Sequence, residues 1–212
     1  MRTIAVLPVK RFELAKTRLS EQLAPQTRRE LAEAMVADVL DVLAAAPQLA
    51  DVVVVTNEPS VATLAQASGA SVLGDPHESG QSAATLVGIH HALAAGYERA
   101  LLVPGDCPAL DGATLGELLT PEDPAPAVTI VADRHGTGTN ALLLTPPDAI
   151  EPSFGPGSFE RHAKRASAAG TAWRVAPLPG LLLDADTPDD LAALREALAG
   201  RATRTAAVLE AI

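Results

Sequence analysis

A single α/β domain built on a mostly parallel sheet is what this sequence predicts, and three observations predict it. Short β-branched or Leu-rich apolar runs alternate with longer segments of helical periodicity. The apolar runs lack an in/out alternation, as strands buried on both faces do. The chain has 212 residues, 48% of them hydrophobic, which suits one domain with one sizeable core.

In order, Thr3 to Val9 reads as a buried strand. A helix follows, with Leu31, Met35, Val36, Val39, Leu40 and Leu43 at helical spacing and charged residues on the other face. Asp51 to Thr56 is a β-branched strand bounded by Asn57 and Pro59. Ala70 to Leu73 is a short third strand, and Ser82 to Ala95 an Ala- and Leu-rich helix that stops at Gly96. Ala100 to Val103 is a fourth strand, running into Pro104-Gly105-Asp106. Ala127 to Val131 and Ala141 to Leu144 flank a polar loop, and Phe159 to Ala169 reads as a helix that Ser158 caps or whose N-terminus receives an anion. Leu181 to Leu183 is read as a last strand before Asp184. Thr187-Pro188-Asp189-Asp190 then opens a C-terminal helix: an N-cap, a proline at N1 and acids that complement the helix dipole. Pro121 to Pro126 reads as a loop within one domain spanning 1–212, not as a boundary.

Composition narrows the function. Net charge is −10, which argues against a nucleic-acid partner, and aromatics at 2% leave little for base-stacking platforms. The single cysteine, Cys107, excludes an intrachain disulfide and argues against an oxidising compartment. The apolar run at the start is broken by Pro8 and ends at Lys10, too short for a signal core or a membrane span, so a cytoplasmic location is expected and no membrane partner.

In parallel sheets ligands bind beyond the carboxyl ends of the strands. That rule selects four places. Lys10, Arg11, Lys16 and Arg18 cluster after the first strand, where cations can neutralise a polyphosphate, although an exposed basic loop would look the same. No G-x-x-x-x-G-K-[ST] or G-x-G-x-x-G follows that strand. Asp106 ends the fourth strand, and Asp184 and Asp186 follow Leu181 to Leu183. Three carboxylates without His or Cys ligand spacing suit a hard, oxygen-seeking ion such as Mg²⁺. Gly136-Thr137-Gly138-Thr139-Asn140 offers backbone N–H groups and hydroxyls to an anion, or is simply a hairpin turn. His90 and His91 lack zinc spacing, Cys107 has no activating neighbour, and Tyr97 and Trp173 are expected to be packing residues.

Taken together, Pro8-Val9-Lys10, Ala15-Lys16-Thr17-Arg18-Leu19, Pro104 to Leu110, Ala132 to Thr139, Phe154-Gly155-Pro156-Gly157-Ser158 and Leu183 to Pro188 resemble the guanylyltransferases of deazaflavin coenzyme (F-420) biosynthesis, the phosphoenolpyruvate and 2-phospholactate guanylyltransferases. The resemblance covers nearly the whole chain. It implies the Rossmann-like sheet of the nucleotide-diphosphosugar-transferase type. It implies transfer of GMP from GTP to a small phosphorylated acid, with Mg²⁺ as the cofactor. Position by position it makes Asp106, Asp184 and Asp186 metal ligands, and Thr139, Gly155 and Ser158 contacts to the acid. Lys10, Lys16 and Arg18 become triphosphate contacts, with Lys16, Arg18 and Asp106 at the reacting centre. Gln81 and Ser82 fall where relatives face the guanine, with Gln-Ser in place of an expected Leu-Asn. A homodimer, and hand-over of product to a downstream deazaflavin transferase, are compatible with that reading. The acceptor stays open among phosphoenolpyruvate, 2-phospholactate and 3-phosphoglycerate. A metal-dependent nucleotide-sugar glycosyltransferase is the rival, since it shares the fold and a D-x-D site.

Overall fold

The computed structural model describes residues 1–14, 16–120 and 126–212. The first five residues of the expected loop at 121–126, and Ala15 in the basic segment, lie outside the described residues.

Among the described residues seven strands form one sheet: β1 (Thr3–Val9), β2 (Asp51–Thr56), β3 (Ser71–Leu73), β4 (Arg99–Leu102), β5 (Ala127–Ala132), β6 (Thr139–Thr145) and β7 (Ala172–Val175). Their spatial order is β3-β2-β1-β4-β6-β5-β7. β1 pairs in parallel with β2 and β4, β2 with β3, and β5 with β7. β6 runs against both β4 and β5. The sheet is therefore mostly parallel with one reversed strand, and that reversal starts β6 at the edge where β1 and β4 end.

The helices are α1 (Pro25–Ala44), α2 (Pro59–Ala67), α3 (Gln81–Ala94), α4 (Gly112–Leu119), α5 (Ser158–Ala168), α6 (Pro188–Ala197) and α7 (Arg204–Glu210). Side chains alternate across β1. Ala5, Leu7 and Val9 pack into the core beneath α1, α4, α6 and α7, whereas Ile4 and Val6 pack into the opposite core beneath α3 and α5. Among the described residues no helix is long and apolar enough to cross a membrane.

Four elements have no counterpart in the sequence reading: α2, α4, α7 and β7. Two of these helices are fixed by caps. Asp111 accepts the Thr114 N–H at 2.8 Å at the start of α4. Buried Asp38, on α1, accepts the N–H groups of Arg204 and Thr205 at 3.0 and 2.8 Å, so α7 docks by its N-terminus.

Three expectations are corrected. Leu181 to Leu183 form no strand: Pro179–Leu181 is a 3-10 turn, and the Asn140 side-chain amide takes the carbonyls of Leu181 and Leu182 that a strand would have offered a neighbour. Ser158 is not a cap, because Gly157, with φ +70°, holds the N-cap position and Ser158 begins the helix. Trp173 lies on an edge strand and is 41% exposed, with its indole N–H on Ser167 Oγ, whereas Tyr97 is buried as expected.

Gly88 sets the spacing between α3 and β1. A Cβ there would sit 2.2 Å from Val6 Cγ1 and 3.2 Å from Val6 Cβ, too close for a rotamer change to relieve. Gly88→Ala is expected to destabilise the fold by about 1–3 kcal/mol in urea unfolding. An unchanged midpoint would mean that α3 is free to shift.

Candidate functional site

The site forms where β1, β2 and β4 end. Beyond Val9 the chain takes two 3-10 turns, Phe12–Leu14 and Thr17–Leu19. Lys16 lies between them with φ +52°, a left-handed conformation that a side-chain-bearing residue adopts only under constraint. The constraint is electrostatic. Its buried ammonium stands 2.6 Å from Asp106 Oδ2 and 3.1 Å from Asp186 Oδ1. Arg18 adds a longer contact to Asp186, at 3.8 Å. Three segments far apart in sequence thus meet at one cation.

Asp186 is held from behind. Asp190 Oδ2 accepts the N–H groups of Asp186 and Thr187, in the capping box that opens α6. Arg134, on the turn between β5 and β6, pairs with Asp190 Oδ1 at 2.8 Å, and its backbone N–H donates to Leu182 O. Asp190 was visible in the sequence only as part of the α6 start, and Arg134 only within the Ala132–Thr139 run; their pairing was not.

Burial would lower the Lys16 pKa, but Asp106 and then Asp186 outweigh it and raise it. Asp184 is pushed up to about 6, first by burial and then by repulsion from Asp106 and Asp186, with Lys16 opposing. Asp186 is held below its usual value by Lys16, against burial. The cluster thus has more negative charge than its lysine balances. Its donors are all carboxylate oxygens, a set that fits a hard divalent cation. Among the described residues no three His, Cys, Asp or Glu groups form a ready-made cage, consistent with Lys16 standing between the acids. Cys107, next to Asp106, is fully buried and its thiol is raised by burial, which removes it as a nucleophile.

A cavity of about 300 Å³ opens over this cluster. Lys10, Lys16, Asp106 and Asp186 line it, and so do Asn57 after β2 and Gln81 at the start of α3. Ser82 is not among the lining residues. Its hydroxyl accepts the Phe154 N–H at 2.9 Å and ties α3 to the loop before α5.

Thr139, Gly155 and Ser158 do not line this cavity. They assemble beside it. The loop Asp133 to Gly138 is a hairpin turn, closed by Asp133 N–H to Gly138 O, with Thr137 N–H on Asp133 Oδ1. Thr137 O accepts the Phe159 N–H, and Gly155 O the Ser158 N–H, so hairpin and helix start are joined. Ser158 Oγ is fully buried and takes no hydrogen-bond partner among the described residues. Gly155 has φ +102° and open space where a Cβ would be, so backbone conformation rather than crowding demands glycine.

His162, buried, organises this group and was not singled out by the sequence. Its Nε2 accepts the Ser153 N–H at 2.8 Å, and its Nδ1 lies 3.0 Å from Thr139 Oγ1. A neutral ring that accepts at Nε2 carries its proton on Nδ1 and donates to Thr139. The Thr139 hydroxyl proton is then left for another acceptor. Burial first, then Arg165 and Arg161, lower the His162 pKa to about 4, so the ring is neutral near pH 7.

The comparisons decide the family. The model of the guanylyl transferase CofC-like family matches residues 3–212. The chain belongs to that family. Its members include a phosphoenolpyruvate guanylyltransferase of Conexibacter woesei, 48% identical over 95% of this chain and 91% of that protein. Another, from Sphaerobacter thermophilus, is 41% identical over 95% of each. A solved structure of a putative nucleotide-diphospho-sugar transferase from Desulfovibrio desulfuricans superposes with a TM-score of 0.80 at 18% identity, covering 100% of this chain and 95% of that one. That likeness shows the fold. This CofC-like chain is a nucleotidyltransferase.

The linkage sign for His162 is fixed by a folded pKa below the unfolded value of about 6.5: the unfolded chain binds the extra proton between pH 6.5 and 4, so stability falls on acidification through that window. About 2 kcal/mol should be lost between pH 7 and 5, a slope that His162→Gln removes. Equal slopes in urea titrations of the two proteins would contradict the neutral, buried ring.

Proposed function

We propose that this chain transfers GMP from GTP to the phosphate of phosphoenolpyruvate, releasing pyrophosphate, in the synthesis of a deazaflavin coenzyme. The observation that supports it most directly is the cluster of Lys16, Asp106 and Asp186 on the wall of a cavity of about 300 Å³. The naming of the two relatives supports the acceptor.

The reaction needs no protein nucleophile. A phosphate monoester is mostly dianionic near pH 7, its second pKa being about 6. An acceptor phosphate oxygen attacks the α-phosphorus of GTP in line. The new P–O bond forms as the α–β bridging bond breaks, and the electron pair leaves on pyrophosphate. The protein's work is alignment and charge neutralisation. Lys10, Lys16 and Arg18 meet the triphosphate. Thr139, Gly155 and Ser158 hold the acid, with His162 orienting the Thr139 hydroxyl. A Mg²⁺ ion held by Asp106, Asp184 and Asp186 would supply further neutralisation of charge on the phosphates.

A glycosyltransferase would leave the nucleoside diphosphate of its donor intact, so pyrophosphate formation from GTP separates the two readings. Phosphoenolpyruvate, 2-phospholactate and 3-phosphoglycerate should be offered in turn, with products identified by mass. Turnover is expected to require a divalent ion and to collapse in Asp106→Asn; full activity in chelator would remove the ion from the scheme. Lys16→Ala should lower kcat/KM for GTP by roughly 10- to 150-fold, the worth of a charge-assisted hydrogen bond. An unchanged value would leave Lys16 as a structural cation alone. Thr139→Val should raise the acceptor KM roughly tenfold while GTP affinity by calorimetry stays within about twofold. The opposite split would assign that pocket to the nucleotide.

A further inference from the structure

The cavity has an end that the phosphate chemistry leaves unused. Asn57, directly after β2, spends its whole side chain on the loop that follows β3: Nδ2 donates to Asp75 O at 2.7 Å and to Glu78 Oε1 at 2.9 Å, while Oδ1 accepts the Asp75 N–H at 3.1 Å. Asp75 Oδ1 in turn accepts the N–H groups of His77 and Glu78. Arg11 Nε donates to the same Glu78 Oε1, at 2.8 Å. Glu78 itself has φ +46°, the left-handed region, so its placement is imposed by this network. Both donors fall on Oε1. Oε2 takes no hydrogen bond among the described residues, on a side chain that lines the cavity beside Gly80 and Gln81.

Arg11 balances the charge of Glu78 through Oε1, so what the free Oε2 offers the cavity is a hydrogen-bond acceptor. The group it faces must therefore offer hydrogens. Among purine bases, guanine presents N1–H and the 2-amino group side by side, whereas adenine presents a bare N1 lone pair and a C–H there. We propose that Glu78 is the base-reading residue, its free carboxylate oxygen accepting from the 2-amino group and N1–H of guanine, and that it makes the enzyme select GTP over ATP. This rests on the guanylyltransferase reading. Hydrogen bonds from Asn57 and then Arg11 keep the carboxyl ionised, as such an acceptor must be. A site built around a buried or oriented acceptor rejects an analogue lacking the donor far better than an apolar pocket rejects a small change in size. Gln81, at the first position of α3, lines the same cavity.

The test is kcat/KM for pyrophosphate release from GTP, ITP and ATP, with the preferred acceptor, in wild type, Glu78→Gln and Glu78→Ala. ITP keeps N1–H and lacks only the 2-amino group. Wild type should prefer GTP to ITP by at least roughly tenfold, as loss of a hydrogen bond to a charged group implies, and GTP to ATP by more. In both variants the GTP-to-ATP ratio should fall at least roughly tenfold, chiefly through the GTP value. Equal use of GTP and ITP by wild type overturns the proposal, and so does an unchanged GTP-to-ATP ratio in the variants. If the variants melt below the assay temperature, the wild-type GTP-to-ITP ratio decides alone. Wild type that makes no pyrophosphate from GTP with any acceptor overturns the guanylyltransferase reading as well, so the two failures are told apart.

Discussion

One ammonium group joins the working parts of this molecule. Lys16 Nζ bridges Asp106, after β4, and Asp186, 170 residues beyond the lysine. The lysine side chain is buried, the lysine backbone is left-handed, and a third carboxylate, Asp184, is close enough to be raised by the other two. A buried ion pair of this kind is weak evidence of net stabilisation, because desolvation offsets much of the attraction. Its value is geometric. It fixes where the basic loop, the β4 end and the segment before α6 meet, and it leaves an excess of negative charge that a second cation can relieve.

The sheet topology follows the same logic. Parallel strands deliver Lys10, Asn57 and Asp106 to one edge. The reversed strand β6 begins at that edge and so brings Thr139 and Asn140 to it. Asn140 then grips the turn at Leu181 and Leu182, and Arg134 grips Asp190, so one hairpin positions both Thr139 and the acidic segment. The cavity lined by Lys16 and Asp106 and the buried group of Thr139, His162 and Ser158 at the start of α5 are tied together through Ser82 and Phe154.

Much of this was legible in the sequence, for identifiable reasons. The strands from Thr3, Asp51 and Ala127 are β-branched runs with no competing pattern, and α6 carries its cap, proline and acids in plain view. Leu181 to Leu183 misled because three leucines bury equally well in a turn, and only Asn140, 41 residues away, decides which carbonyls are free. The helices α4 and α7 were missed because α4 is eight residues and α7 seven, lengths at which tertiary docking rather than periodicity holds a helix. At the site, the basic and acidic residues were visible as clusters, but their pairing was not: Lys16 was expected at a triphosphate and stands between two carboxylates. His162, Asn57 and Glu78 gave no signal, since each acts through partners distant in sequence.

The central proposal is that Asp106, Asp184 and Asp186 hold a divalent cation in addition to their contacts with Lys16 and Arg18. The direct measurement is thermal unfolding of wild type and Lys16→Met, each in chelator and in a magnesium series, without nucleotide. With the ammonium removed the three acids repel, so the variant should melt lower in chelator and be raised by magnesium more than wild type, by an amount that saturates as expected for one-site binding. Equal magnesium responses, or none in either protein, would contradict the account.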